Sequence, residues 1–261
     1  MRACWLVLGV LLLGGCSCKE PPLPMADVAD IDRIEIRYEH TGWGVINETF
    51  VLVPVRRGGG FHLQGHYEST AGGVRAGEWP VTSTAVAQLL AALQERPWQR
   101  ERAMREIAGG VRRSELIPAT FWTTWPPLAC DADELRALAR SRLRGRSVRD
   151  EVDAYYGTGM RWTDDDPYVQ LRILHRQGRE QRWHSTAQHA MLVPWVAGDY
   201  APMEAPDRQN WSLSVSRTLR ALVPVDAHLH ARLDGLPSMR ARLQDYTQYA
   251  AARECERLRP R

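Results

Sequence analysis

Five stretches of this chain carry strand signatures, and four of them come as two pairs, each joined by a turn, which restricts the fold more than any other feature. Ile34, Ile36 and Tyr38 alternate with Arg33, Glu35 and Arg37, the two-residue period of a half-buried strand. An apolar run over 50–55 and an alternating stretch, Phe61, Leu63 and Tyr67 against His62, Gln64 and His66, flank Gly58-Gly59-Gly60 and read as an antiparallel hairpin. The pattern returns later: Val169, Leu171 and Ile173 alternate with Gln170 and Arg172, 176–179 turns, and 181–186 runs back. A half-apolar hairpin must be covered, and the sequence supplies the cover. Val86, Leu89, Leu90 and Leu93 fall on one helical face, with Thr82 as N-cap, Val81 and Val86 spaced for a staple, and Pro97 as the stop. The expectation is an α+β fold, antiparallel sheet from two hairpin units covered by amphipathic helices.

Further helices are expected over 99–108, closed by Gly109-Gly110, then after the capping-box signature at Asp131 and Glu134, with Leu135, Leu138, Ala139 and Leu143 on one face. Ser147 opens another, carrying Val152 and Tyr155; both read as amphipathic surface helices. Residues 191–196 suggest an apolar strand that Pro194 pushes to a sheet edge. A helix from Arg208 presents Trp211, Val215, Leu219 and Leu222 and ends at Pro224. A short helix over 227–233, capped by Asp226 and stopped by Asp234-Gly235, precedes a longer one from Met239 through Leu243, Tyr246 and Ala250. The order suits a single α+β domain over 31–261. It also admits two similar ββα halves, 31–110 and 165–225, with a helical connector, although residue identity between them is poor.

The first residues concern location. Arg2, an apolar run over 3–13 and Gly14-Gly15 follow the order of a secretory signal. The run is shorter than the roughly 18 residues a spanning helix needs. Leu13-Gly14-Gly15-Cys16 resembles the lipobox of bacterial lipoproteins. That resemblance covers only this end, and it implies a signal peptide over 1–15, cleavage before Cys16, a diacylglycerol thioether on Cys16 and an N-acyl chain such as palmitate. The membrane then becomes a partner through the anchor. Ser17 in place of aspartate implies the outer membrane, facing the periplasm, rather than the inner membrane. Residues 16–30, with Pro21, Pro22 and Pro24, form an extended tether.

Secretion places the cysteines on an oxidising side. Of five, Cys4 leaves with the signal peptide, Cys16 carries lipid and Cys18 lies in the tether, so Cys130 with Cys255 is the preferred disulfide, one that would staple the C-terminal helix. The formal charge is +3, and the arginines are spread along the chain, so no nucleic-acid partner is expected.

Chemistry is thinly signalled. His228 and His230 sit on a helical turn where i and i+2 diverge, which suits solvated or structural histidines better than metal ligands. Asp164-Asp165-Asp166, followed by Pro167, reads as an acidic turn rather than a cation loop. His184, Ser185 and His189 lack a nucleophile elbow, and neighbouring strand residues face opposite ways. Gly58-Gly59-Gly60 lacks the lysine and helix of a phosphate loop. Trp122, Trp125 and Trp162 lie in Pro- or Gly-punctuated segments, where a ring can stack on a sugar or a partner side chain, whereas Trp183, Trp195 and Trp211 suit the core. These features lead to no metal and no cofactor, and to an envelope binding or structural module whose partner is another envelope protein or a cell-wall glycan. The alternative is an envelope hydrolase acting on cell-wall or lipid substrates, using Asp164, Asp166, His184 and His189.

Overall fold

Alternating side chains on β1 (Ile31–Thr41) and β5 (Tyr168–His175) put Ile34, Ile36 and Tyr38 opposite Ile173, Leu171 and Val169, and this apolar seam is the centre of the protein. All six side chains are fully buried. The computed structural model describes residues 28–41, 45–55, 59–94, 100–121, 130–157, 168–186, 192–198 and 209–258. The lipobox, Cys16, Ser17, the tether prolines, Trp122, Trp125, Trp162, Asp164, Asp165, Asp166 and His189 lie outside those residues.

On one side of the seam β2 (Val45–Pro54), β3 (Gly60–Glu68) and β4 (Val74–Thr82) follow β1 as a meander; on the other, β6 (Glu180–Thr186), β7 (Trp195–Ala197) and β8 (Gln209–Asn210) follow β5. Every pairing is antiparallel, and the order β4-β3-β2-β1-β5-β6-β7-β8 makes one eight-stranded sheet. The two hairpins therefore share one sheet, as an α+β fold. Four strands followed by a helix occur twice, and the succession is the same read inward from either edge.

One face of the sheet is polar. Glu35, Arg172 and Arg182 stand in register across β1, β5 and β6, and Arg172 bridges Glu35 (3.1 Å) and Glu180 (2.9 Å). The two guanidinium groups of Arg172 and Arg182 hold the Glu180 carboxyl well below the usual range. The other face is apolar and is covered by helices. α1 (Ser83–Leu93) begins at Thr82, whose hydroxyl accepts from the Ala85 N–H, and buries Val86, Leu89, Leu90 and Leu93. α2 (Arg100–Gly109), α3 (Ala132–Arg144) and α4 (Val148–Gly157) follow; Asp131 and Glu134 close a capping box on α3, and Ser147 and Asp150 exchange the same two bonds at the start of α4. α5 (Leu213–Arg220) packs on α1, α6 (His228–Leu233) on α5, and α7 (Gly235–Leu258) on α3 and α4.

Local expectations change in four places. A strand not expected from the sequence, β4, precedes α1. The strand near Pro194 is short and interior, since β7 pairs with both β6 and β8; Pro194 lies just before it, so the ladder loses no donor. The helix expected from Arg208 starts at Leu213, because Gln209 and Asn210 form β8 and Ser212 caps the helix by accepting from the Ser214 N–H. The long last helix begins at Gly235, four residues before Met239. α3 and α4 are also more than surface helices. Fully buried Glu151 on α4 pairs with Arg142 (3.2 Å) on α3 and with Arg146, closing the α3–α4 connection with charge.

The structure bonds Cys130, one residue before the α3 cap, to Cys255 near the end of α7. Around them Phe121, Leu135, Ala139 and Ala251 form a small apolar cluster apart from the main core. Trp183, Trp195 and Trp211 are buried, and the indole N–H of Trp195 donates to Ser216 Oγ (3.1 Å).

Candidate functional site

Among the described residues the helix layer stops short of the β4 edge and leaves an open cleft of about 970 Å³. Its floor is the inner face of β3 and β4, where Leu63, Tyr67, Trp79 and Val81 line up; its far wall is the segment from Ala221 to Asp226 between α5 and α6, and Thr82 and Ala85 at the start of α1 close one end. Val74 and Val225 sit on the rim at 70% and 80% exposure, an unusual degree for valine.

The floor depends on two glycines. Gly65 and Gly77 are direct cross-strand partners. A Cβ on Gly65 would lie 2.9 Å from both the Phe50 and Trp79 rings, and one on Gly77 would lie 3.1 Å from the Trp79 ring. The bare backbone is what lets Trp79 lie flat across both strands, with Tyr67 tilted beside it at 5.7 Å between ring centroids. Gly65→Ala is expected to push Trp79 off this platform and cost about 1–3 kcal/mol through overpacking, read as a lower denaturant midpoint. An unchanged midpoint would contradict this account of the floor.

One end of the cleft is polar. The Tyr67 hydroxyl donates to Asp226 Oδ1 (2.8 Å) and Arg75 reaches Asp226 Oδ2 (3.0 Å). The Tyr67 hydrogen bond is the main cause holding the Asp226 carboxyl below its ordinary range, with Arg75 adding to it; burial, then Asp226, push the Tyr67 hydroxyl up. Asp226 is thus a fixed anion tying the α5–α6 segment to the β3–β4 hairpin, and its main-chain oxygen accepts from Thr70 N–H as well (2.9 Å). It does not cap α6, as the sequence suggested.

That cap comes from far along the chain. Glu48 on β2, fully buried, accepts from the backbone N–H groups of His228 and Leu229, each at 2.8 Å. Burial pushes its carboxyl up while these two hydrogen bonds pull it down, and the net shift is upward. Glu48 and Asp226 together hold the cleft's far wall. The sequence marked Asp226 only as a local cap and did not single out Glu48, yet Glu48 left a trace: it shares the inward register of Phe50 and Leu52, where an acidic residue must find buried donors.

The described residues among those expected to bear chemistry lie elsewhere. Ser185 is buried and donates to the Pro194 carbonyl (2.9 Å), while His184 points to the other face beside the Tyr168 ring. His228 and His230 stand on α6, where burial, then Arg220, lower the His230 pKa. Among the described residues no three potential metal-ligating side chains converge, and no helix is long and apolar enough to cross a membrane. No protein-family model, curated protein or solved structure matches this chain.

Proposed function

We propose that this chain is a lipid-anchored cell-envelope protein, tethered through Cys16 to the outer membrane and facing the periplasm, whose domain binds another envelope component without acting on it chemically. The observation that carries the binding half is the cleft. It presents the half-buried Trp79 ring and two rim valines, while Asp226, the carboxylate at its polar end, is spent on Tyr67 and Arg75 and held low, a poor state for a group that must exchange protons near neutrality. An envelope protein or a cell-wall glycan suits such a site better than a small molecule, since an open trough covers little of a compact ligand. The anchor rests on Leu13-Gly14-Gly15-Cys16, and an oxidising compartment accords with a bonded Cys130 and Cys255.

The anchor is tested by intact-mass analysis of protein isolated from its native membranes. The expected N-terminus is Cys16 bearing a diacylglyceryl group and an acyl chain, and Cys16→Ala should leave the protein unlipidated and extractable without detergent. A native N-terminus at any other residue, or a bare Cys16, would remove the anchor from the proposal.

A further inference from the structure

Strand β4 is the long free edge of the sheet: among the described residues no strand lies beyond it. Its hydrogen-bond phase follows from the turn before it. Ser69 N–H donates to the Gly73 carbonyl (2.8 Å), so Ser69 and Gly73 form a hydrogen-bonded pair, and the alternation of an antiparallel ladder directs the main-chain groups of Arg75, Gly77, Trp79 and Val81 toward β3. The groups of Val74, Ala76, Glu78 and Pro80 then face outward. Pro80 fits this phase, because its missing N–H falls on the outer side and costs the ladder nothing. It also blunts one end of the edge, in the way edge strands are commonly protected. The other end is not blunted. Val74, Ala76 and Glu78 present N–H and C=O groups outward, and every residue from Val74 to Thr82 borders the cleft, so the strand edge itself is one of the cleft's rims.

An unpaired edge above a trough that offers Trp79, Leu222 and Val223 beside the polar Arg75 and Asp226 has a specific complement. We propose that β4 and the cleft beneath it capture an extended segment of a partner protein, added beside β4 as a further strand. This rests on the reading of the cleft as the binding site and chooses protein over glycan as its occupant. Main-chain bonds to Val74, Ala76 and Glu78 supply the affinity, and alternate side chains of the added strand enter the cleft. The residue opposite Gly77 meets no side chain there and finds the Trp79 ring beside it and Leu222 and Val223 across the trough, a place for a large apolar side chain. Two residues along, the added strand passes Arg75. That side chain is 60% exposed and gives Asp226 only part of its five-donor fork, so an acidic residue on the partner complements it. The segment recognised is therefore an extended one carrying an apolar residue and, two positions away on the same face, an Asp or Glu.

The test pans a displayed library of random nonapeptides over the mature, full-length chain and remakes the recovered peptides synthetically. Recovered peptides are expected to alternate apolar with polar residues and carry the acidic residue at the stated spacing. On binding they should slow hydrogen exchange at the Val74, Ala76 and Glu78 amides at least tenfold. N-methylation of the peptide nitrogens that face β4 should weaken binding at least tenfold, whereas N-methylation of the intervening nitrogens should leave it within twofold. Ala76→Pro removes an outward N–H without touching the ladder to β3 and should abolish capture, and Trp79→Ala should weaken it tenfold or more. The N-methyl series keeps the test decisive even where a variant folds poorly. Recovery of no peptide, or binding indifferent to N-methyl position, overturns the proposal. So does edge protection that appears without peptide and rises with protein concentration alongside a dimer in light scattering, since the occupant is then a second copy. Binding of cell-wall glycan fragments in the cleft with unprotected edge amides overturns it too and assigns the site to sugar. A lipidated Cys16 in native protein that captures no peptide would leave the envelope reading standing and this inference alone defeated.

Discussion

Replacing Glu48 by alanine is expected to destabilise the fold by about 3 kcal/mol or more, the largest effect of any single side chain near the cleft. The variant strips two backbone N–H groups, that of half-buried His228 and that of fully buried Leu229, of their common acceptor, and each bare donor costs about 1–3 kcal/mol. Glu48→Gln should cost about 1–2 kcal/mol, because an amide offers one oxygen where the carboxylate offers two, and its NH₂ then faces the second donor. Denaturant unfolding measures both. A Glu48→Ala midpoint equal to the wild type would show that α6 does not depend on this cap.

The same carboxyl gives a pH signature with a definite sign. Its folded pKa lies above the ordinary glutamate value, chiefly through burial. Within the window between the ordinary and the raised value the folded chain holds a proton that the unfolded chain has lost. Glu48's contribution to stability therefore declines as pH rises through that window and is level on either side. Asp226 and Glu180, whose carboxyls are held low, act in the opposite sense, losing their stabilisation as pH falls. The difference between wild type and Glu48→Gln isolates the glutamate: the wild-type advantage should shrink from mildly acidic toward neutral pH. An advantage that grows over that range would contradict a raised pKa.

Reducing the Cys130–Cys255 bond is expected to have the other large effect, about 3–5 kcal/mol, since the bond spans 125 residues of chain and restricts the unfolded state most when the closed loop is long. The loss should be local in its first stage. The bond joins the start of α3 to the end of α7 around a small cluster separate from the main core, so hydrogen exchange over the last turns of α7 should accelerate before that of β1 and β5. Comparison of oxidised and reduced protein by denaturant midpoint and exchange checks both points, and equal midpoints would mean that the α3–α7 packing alone holds this end.

These effects fall on contacts of unequal legibility. Thr82, Asp131 and Ser147 could be named as caps from sequence because a cap is a local bond, reaching only two or three residues along the chain. Strand β4 escaped because its inward positions are Arg75, Gly77, Trp79 and Val81, and neither an arginine nor a glycine marks an apolar face. Its character as a strand comes from pairing with β3, and its glycine from the ring that lies over it. Asp226 looked like a helix cap by its place in the chain, and was claimed instead by Tyr67 and Arg75 from the neighbouring hairpin.

The sequence by itself determined the two hairpins, the apolar faces of their strands, the helices that cover them and most helix starts, because each follows from periodicity or from bonds between near neighbours. Only the tertiary structure decided that β1 pairs with β5, merging both hairpins into one sheet; that the Glu48 carboxylate on β2 would cap a helix 180 residues away; and that the helix layer would end short of β4. The physical reason is common to all three. Pairing partners, buried acceptors and uncovered edges are properties of surfaces that meet in space, and a strand edge carries no side-chain mark of whether another strand will cover it.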